Sequence, residues 1–272
     1  MVDIELLYRQ QLTSSDLALL RDAVGPDVQV TEALGSAAAE EAVFGGRRQA
    51  GVAVGVSPFL AFATAVHRTS ARLETVSFVE ERWGRRVRIP LFDVAALRDL
   101  VSDQLRRWFL VELLASYTRV SSGVTWTRTA RGWRRRRFSE LDPASLAEQL
   151  EVVGRTERPG VYRRLGDLAL FLLGVFPDHL PELAGATGDR LLRVSGVRSV
   201  GWAELDGQDL LEHLGSRWYR AAVVSASSNG YPVTAPLAVA GYIGEHFGDA
   251  RRVVNAVTDR YLFPVREQWF GG

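Results

Sequence analysis

Asp93-Val-Ala-Ala-Leu-Arg-Asp-Leu-Val-Ser-Asp-Gln-Leu-Arg-Arg-Trp-Phe-Leu-Val-Glu-Leu-Leu-Ala-Ser-Tyr117 decides the fold class. Val94, Leu97, Val101, Leu105, Trp108 and Phe109 recur at three- and four-residue steps, the period of one helix face. Arg98, Asp99, Ser102, Asp103, Arg106 and Arg107 take the other face, with Asp103 and Arg107 spaced as an i,i+4 ion pair. From Trp108 to Tyr117 the run is apolar nearly all round except at Glu112, so its second half should be buried on several sides. The pattern predicts one long helix, capped by Asp93 and ending at about Val120.

Helix signals recur on both sides of this stretch. Ser14-Ser15-Asp16 reads as a cap, Leu17 to Val24 as a short helix and Gly25-Pro26 as its stop. A second helix is expected from Glu32 to Val43. Gly51 to Val56 reads as a strand or an extended segment. Ser57-Pro58 reads as N-cap and first helical position, because proline has no N–H to leave unsatisfied there. The helix that follows should run from Phe59 to about Glu81, and Trp83 to Pro90 should be a loop or short strand.

Further on, Asp142-Pro143 opens a helix to about Val153, and Tyr162 to Phe176 forms a very apolar one stopped by Pro177. Asp206 to Val224, Leu237 to Phe247 and Asp249 to Phe263 complete the set, and Trp269-Phe270 should dock the tail. The expected fold is mostly α: a compact multi-helix domain over residues 1–272, with room for a small β-hairpin near 123–138. The polar, Pro/Gly-punctuated segment 155–160 is the candidate boundary if subdomains exist.

The 272 residues are 47% hydrophobic and 24% charged, near the globular average, so bulk disorder is not expected. Formal net charge is +1, which by itself points to neither nucleic acid nor membrane. Cysteine and lysine are absent, and all 33 basic residues are arginine. Cysteine nucleophiles, disulfides, Cys-ligated zinc and iron–sulfur clusters are thereby excluded. So are a lysine Schiff base and the lysine of a phosphate-binding P-loop. Met1 to Tyr8 carries acids where a signal peptide needs a basic region. The most apolar window, 50–66, is broken by Ser57-Pro58 and shorter than a spanning helix. A cytoplasmic protein without membrane insertion is expected.

The oddest chemistry follows the long helix, in Gly123-Val-Thr-Trp-Thr-Arg-Thr-Ala-Arg-Gly-Trp-Arg-Arg-Arg-Arg-Phe138. Between Leu113 and Ser139 there are seven arginines and no acid, so the rest of the chain carries a net −6. Ala130-Arg131-Gly132 would make a three-residue turn. In a strand, Trp133, Arg135 and Arg137 share one side and Arg134 and Arg136 the other. Guanidinium forks match phosphates and indole faces stack on bases, so the candidate binding residues are Trp126, Arg128, Arg131, Trp133, Arg134, Arg135, Arg136 and Arg137. Arg134 to Arg137 should project into solvent on this reading. The plainer reading is a solvated hairpin that pairs with acids elsewhere or grips an acidic partner chain.

Other motifs give less. Gly46-Arg-Arg-Gln-Ala-Gly51 has phosphate-loop spacing, but Val52-Ala53 stand where Lys and Ser/Thr are needed. There is no dinucleotide fingerprint and no nucleophile elbow. The histidines His67, His179, His213 and His246 lack a Glu three residues before them, so the di-iron bundle pattern is absent. Asp209 with His213, and His179 with Glu182, fall at helical spacing, where surface or capping roles are the ordinary outcome. Asp167 is the one acid in the apolar 162–176 run. It should be an ion pair that fixes helix register, with Arg163, Arg164 or an arginine of another helix as partner, or else an acid lining a pocket.

Tyr162-Arg-Arg-Leu-Gly-Asp-Leu-Ala-Leu-Phe-Leu-Leu-Gly-Val-Phe-Pro-Asp178 and Leu214-Gly-Ser-Arg-Trp-Tyr-Arg-Ala-Ala222 together resemble a group of uncharacterised helical bacterial proteins, actinobacterial in type. Those proteins carry a Leu-Gly-Asp…Phe-Pro helix and then a Gly-x-x-x-Tyr helix. Pro90–Tyr117 and Asp259–Phe270 are similar to the same group. The resemblance implies a helical fold and a bacterial cytosolic setting, and it brings no activity or active site with it.

The resulting expectation is a non-enzymatic protein contacting a polyanion, nucleic acid foremost, through the arginine-rich hairpin. No cofactor and no metal are expected. The alternatives are a protein–protein adaptor or assembly subunit, homo-oligomers included, and an enzyme or small-molecule binder with a pocket near Asp167.

Overall fold

A computed structural model describes residues 2–45, 55–83, 87–119, 122–129, 132–177, 186–194, 206–263 and 269–270. Over 82–83, 87, 122–129, 133–139, 186–188 and 194 it describes the backbone alone. Among the described residues helices dominate, with two antiparallel two-stranded hairpins. The chain divides into two units, one of residues 1–118 with 248–272, the other of residues 119–247. The 155–160 segment lies inside the second unit.

In the first unit α1 (Ile4–Gln11), α2 (Ser14–Val24), α3 (Val30–Leu34) and α4 (Ala37–Phe44) precede α5 (Pro58–Leu73). Leu60, Ala61, Phe62, Ala63 and Ala65 of α5 are wholly buried, and α3, α4, α6 (Val94–Ser102) and α7 (Gln104–Ser116) pack against it. Backbone donors at two helix starts converge on one carboxylate. Thr13 and Asp16 form a capping box at α2, while the second oxygen of Asp16 accepts from Ser57 N at 3.0 Å. Asp16 is 1% exposed and ties the start of α2 to the start of α5. At Ser57 the expected cap is present, its hydroxyl accepting from Leu60 N at 3.1 Å, with Pro58 in the first turn.

The long helix predicted from Asp93 to Val120 is instead two. Asp103 leaves the helical region (φ −78°, ψ 129°) and its carboxylate accepts from Arg106 N at 2.8 Å. A short acceptor side chain competes with the backbone for helix N–H groups, so it ends α6 and caps α7. Arg107, paired by spacing with Asp103, donates to the carbonyls of Val101 and Ser102 at the end of α6. Ser36 splits the helix predicted over 32–43 in the same way, accepting from Ala39 N at 3.0 Å.

The helix expected to reach Glu81 stops at Leu73. Arg98 of α6 donates to the carbonyls of Leu73 and Val76, both at 2.6 Å, and so satisfies acceptors that a further turn would have used. The chain then enters a hairpin of β1 (Val79–Trp83) and β2 (Val87–Leu91), registered from Val79 opposite Leu91 to Trp83 opposite Val87.

The second unit holds β3 (Ser122–Thr129), β4 (Gly132–Ser139), α8 (Pro143–Ala147), α9 (Arg158–Val175), α10 (Ala186–Val194), α11 (Gly207–Ser228) and α12 (Ala235–Glu245). A 3-10 turn, Glu148–Glu151, follows α8 where a longer helix was expected. The pair α9 and α11 forms its centre, with α12 against α11 and α8 against α9. α9 starts four residues before Tyr162, with Pro159 in its first turn, and α11 runs on to Ser228, past the end expected at Val224.

The chain returns to the first unit through α13 (Phe247–Val257), which ends in a π-helical turn, Thr258–Leu262. The tail docks as expected. Phe270 stacks on Phe62 at 5.7 Å between centroids, and Trp269 meets the same ring edge-on at 5.1 Å. Among the described residues no helix is long and apolar enough to cross a membrane.

Candidate functional site

The arginine segment forms the predicted hairpin, β3 with β4, antiparallel from Ser122 opposite Ser139 to Thr129 opposite Gly132. Gly132 pairs with Thr129, so it belongs to the strand and not to the turn, and the link is residues 130–131. Its φ of +113° is one that residues with a Cβ rarely adopt. Trp126 stands opposite Arg135, Arg128 opposite Trp133, and Val124 opposite Arg137. Directly opposed residues share a face, so positions 124, 126, 128, 133, 135 and 137 fall on one side. Arg134 and Arg136, opposite Thr127 and Thr125, fall on the other. The side-chain exposure expected of Arg134 to Arg137 lies outside what is described, as does Arg131.

Asp167 sits 7% exposed where α9 packs against α11. Tyr219 of α11 donates its hydroxyl to Asp167 Oδ1 at 2.8 Å, and Arg163 Nε lies 3.7 Å from Oδ2. Of the partners the sequence left open, Arg163, Arg164 or an arginine of another helix, the structure has Arg163; nothing in the spacing signalled the tyrosine. The ring of Tyr219 fits only because two glycines face it. A Cβ on Gly166 would stand 2.6 Å from Tyr219 Cδ1, and one on Gly244 2.8 Å from Tyr219 Cβ. The Leu-Gly-Asp and Gly-x-x-x-Tyr motifs are thus two halves of one buried joint, in which Gly166 admits the ring and Asp167 takes its proton donor.

His67 is a satisfied core histidine. It is 5% exposed, and its Nε2 lies 2.9 Å from the hydroxyl of Tyr8. Burial, reinforced by the nearby Arg107 guanidinium, pushes its pKa down to about 3, so the ring is neutral. Burial likewise pushes the Tyr8 hydroxyl well above its ordinary value. Trp108 meets Tyr8 edge-on at 4.9 Å and Phe59 packs at 6.1 Å, so the pair sits within a packed aromatic cluster. His213 is held below its usual range by burial, then by Arg217 and Arg220, and His246 stacks on Tyr242 at 4.4 Å. His179 falls outside the described residues. No cluster of His, Asp and Glu able to hold a metal occurs among the described residues.

A feature the sequence did not signal is a cleft of about 580 Å³ in the first unit. It opens between the end of α5, the β1–β2 hairpin and the π-helical turn, with Thr69, Arg72, Phe78, Arg88, Asp259 and Arg260 among its walls. Periodicity predicts continuous helix over residues 69–80, and Arg88 and Asp259 are far apart in the chain, so the pattern could not assemble it. Arg88 donates to Glu80 at 3.1 Å and pairs with Asp259 at 3.5 Å. Arg260 donates to the Tyr261 hydroxyl at 3.1 Å and reaches Glu40 at 3.5 Å.

Comparison of the chain with protein-family models, with curated proteins and with solved structures finds no match.

Proposed function

We propose that this is a non-enzymatic binding protein whose β3–β4 hairpin contacts a polyanion, nucleic acid in the first instance. The observation that carries the reading is the strand register, which brings Trp126 and Trp133 to the same face as Arg128, Arg135 and Arg137. Aromatic faces interleaved with guanidinium forks suit a single strand, whose bases can stack while its phosphates meet arginine. Arg134 and Arg136 on the opposite face would add phosphate contacts that position the strand without reading it.

Fluorescence anisotropy with labelled single- and double-stranded DNA and RNA, run across a salt series, tests this. Wild type should bind more weakly as salt rises. Replacing Arg134 to Arg137 by Ala should flatten the log–log slope on a single strand by roughly 0.7 for each phosphate that the arginines no longer neutralise. Trp126→Ala and Trp133→Ala should each weaken single-strand binding by ~1–3 kcal/mol while leaving that slope nearly unchanged. Absence of binding by wild type at low salt would retire nucleic acid and turn the search to an acidic protein partner.

A further inference from the structure

The cleft in the first unit has the chemistry of a small-anion site. Its walls carry three guanidiniums, Arg72, Arg88 and Arg260, against two carboxylates, Glu80 and Asp259, a net of one positive charge. Arg88 is engaged by both carboxylates, and Arg260 turns to Tyr261 and Glu40. Among the described residues no hydrogen bond or ion pair reaches the Arg72 guanidinium, half-buried at the end of α5. One turn back on the same wall, Thr69 is 5% exposed, and its buried hydroxyl has no hydrogen-bond partner. Two donors thus stand at i and i+3 on one helix, on the same side of the cleft. A buried hydroxyl left unpaired costs free energy that a ligand's acceptor would recover.

Thr75 and Ser77 add two hydroxyls to the lining, and the rest of it is apolar. Leu73, Val76 and Val79 lie along it, and Phe78, 45% exposed, sits 5.8 Å from the ring of Phe92, itself 70% exposed. A volume of this order suits one small molecule with an apolar body and a few polar anchors. Another part of the wall, Asp259 and Arg260, comes from the π-helical turn, a distortion often found at functional sites. The double clamp of Arg98 on Leu73 and Val76 holds the segment between them in place, so the site is pre-formed.

We propose that this cleft binds a small organic anion, an apolar body bearing a single carboxylate or phosphate group, with Arg72 as the fork for the anion and Thr69 as the buried donor. The site belongs to the first unit and is independent of the hairpin. Saturation-transfer NMR with benzoate, phenyl phosphate and uncharged benzyl alcohol, followed by titration, gives the test. At least one anionic probe should bind at millimolar concentration or better, and benzyl alcohol at least tenfold more weakly. The stronger of the two anions identifies the head group. Arg72→Gln should weaken binding roughly tenfold, the size of a lost charge-assisted hydrogen bond, and Thr69→Val severalfold. Thr69→Val is close to isosteric and Arg72→Gln shortens a half-buried side chain while keeping it polar, and unchanged thermal melts would show that each is folded. The variant lacking Arg134 to Arg137 should bind the probe as wild type does. Failure of both anions to bind, equal binding by Arg72→Gln, or loss of binding in the hairpin variant would each overturn the proposal.

Discussion

The joint at Tyr219 turns on single atoms. Gly166→Ala would place a methyl group 2.6 Å from the ring, against a residue that is itself wholly buried. Neither partner can yield cheaply, and overpacking of this kind costs ~1–3 kcal/mol. Tyr219→Phe removes only the hydroxyl, yet leaves the buried Asp167 carboxylate short of a donor, at a similar cost of ~1–3 kcal/mol. The double variant Asp167→Asn with Tyr219→Phe should be less destabilised than the sum of the single changes, since the two groups act on each other. Urea denaturation of the four proteins decides it, and simple additivity would count against the joint.

At the scale of elements, the decisive residues are those that end helices. Asp103→Ala removes the α7 cap and should cost about 1 kcal/mol, read as a lower urea midpoint at constant slope, with Asp103→Ser restoring most of it. A midpoint unmoved by Asp103→Ala would mean that α6 and α7 are joined by packing alone. The same residue shows how far the sequence could be read. Periodicity located the apolar faces of α6 and α7, the Ser57-Pro58 start and the β3–β4 hairpin, because each depends on neighbours in the chain. It passed through Asp103 and Ser36, since a capping residue and a solvated one look alike on a polar face. It also passed through Leu73, where the stop comes from Arg98 across 25 positions of sequence. Of the hairpin residues, Trp126, Arg128 and Trp133 to Arg137 were legible as a cluster. That both tryptophans share a face depends on the register. Thr69 and Arg72 could not be seen as ligand groups, because what marks them is the absence of a partner in three dimensions.

For the molecule as a whole, stability should depend on pH through buried histidine. His67 is neutral when folded and takes up a proton near pH 6.5 when unfolded, so its contribution is complete above pH 6.5 and declines as the pH falls toward about 3. His213, shifted in the same direction, adds to the decline. For Glu81 burial works the other way, but Arg251 and Arg252 outweigh it and keep its carboxyl below the ordinary 4.5. Glu40 is held low, against burial, by Arg68, Tyr261 and Arg260. Those carboxylates lose their contribution only below about pH 4.5, so the loss between 6.5 and 4.5 belongs mainly to the histidines. Calorimetry from pH 8 to pH 4.5 should find the melting temperature level above 6.5 and falling below it. The limiting slope is ~1.4 kcal/mol per pH unit for one proton. His67→Gln should flatten that fall, and an equally steep decline in the variant would assign it elsewhere.

One unit is made from both ends of the described chain, and α13 with its π-helical turn brings Val253, Val254, Val257 and Leu262 into its core. On the ribosome those residues emerge only after 119–247 have been synthesised, an interval on the order of ten seconds. Until then the apolar surface of α5 and its neighbours lacks the segment that completes it, while most of the second unit lies ahead of that segment in the chain and can begin to fold. The nested arrangement therefore sets an order of assembly in the cell. The inserted unit can begin to fold while the unit formed by 1–118 waits with its core incomplete, within reach of chaperones and of other nascent chains.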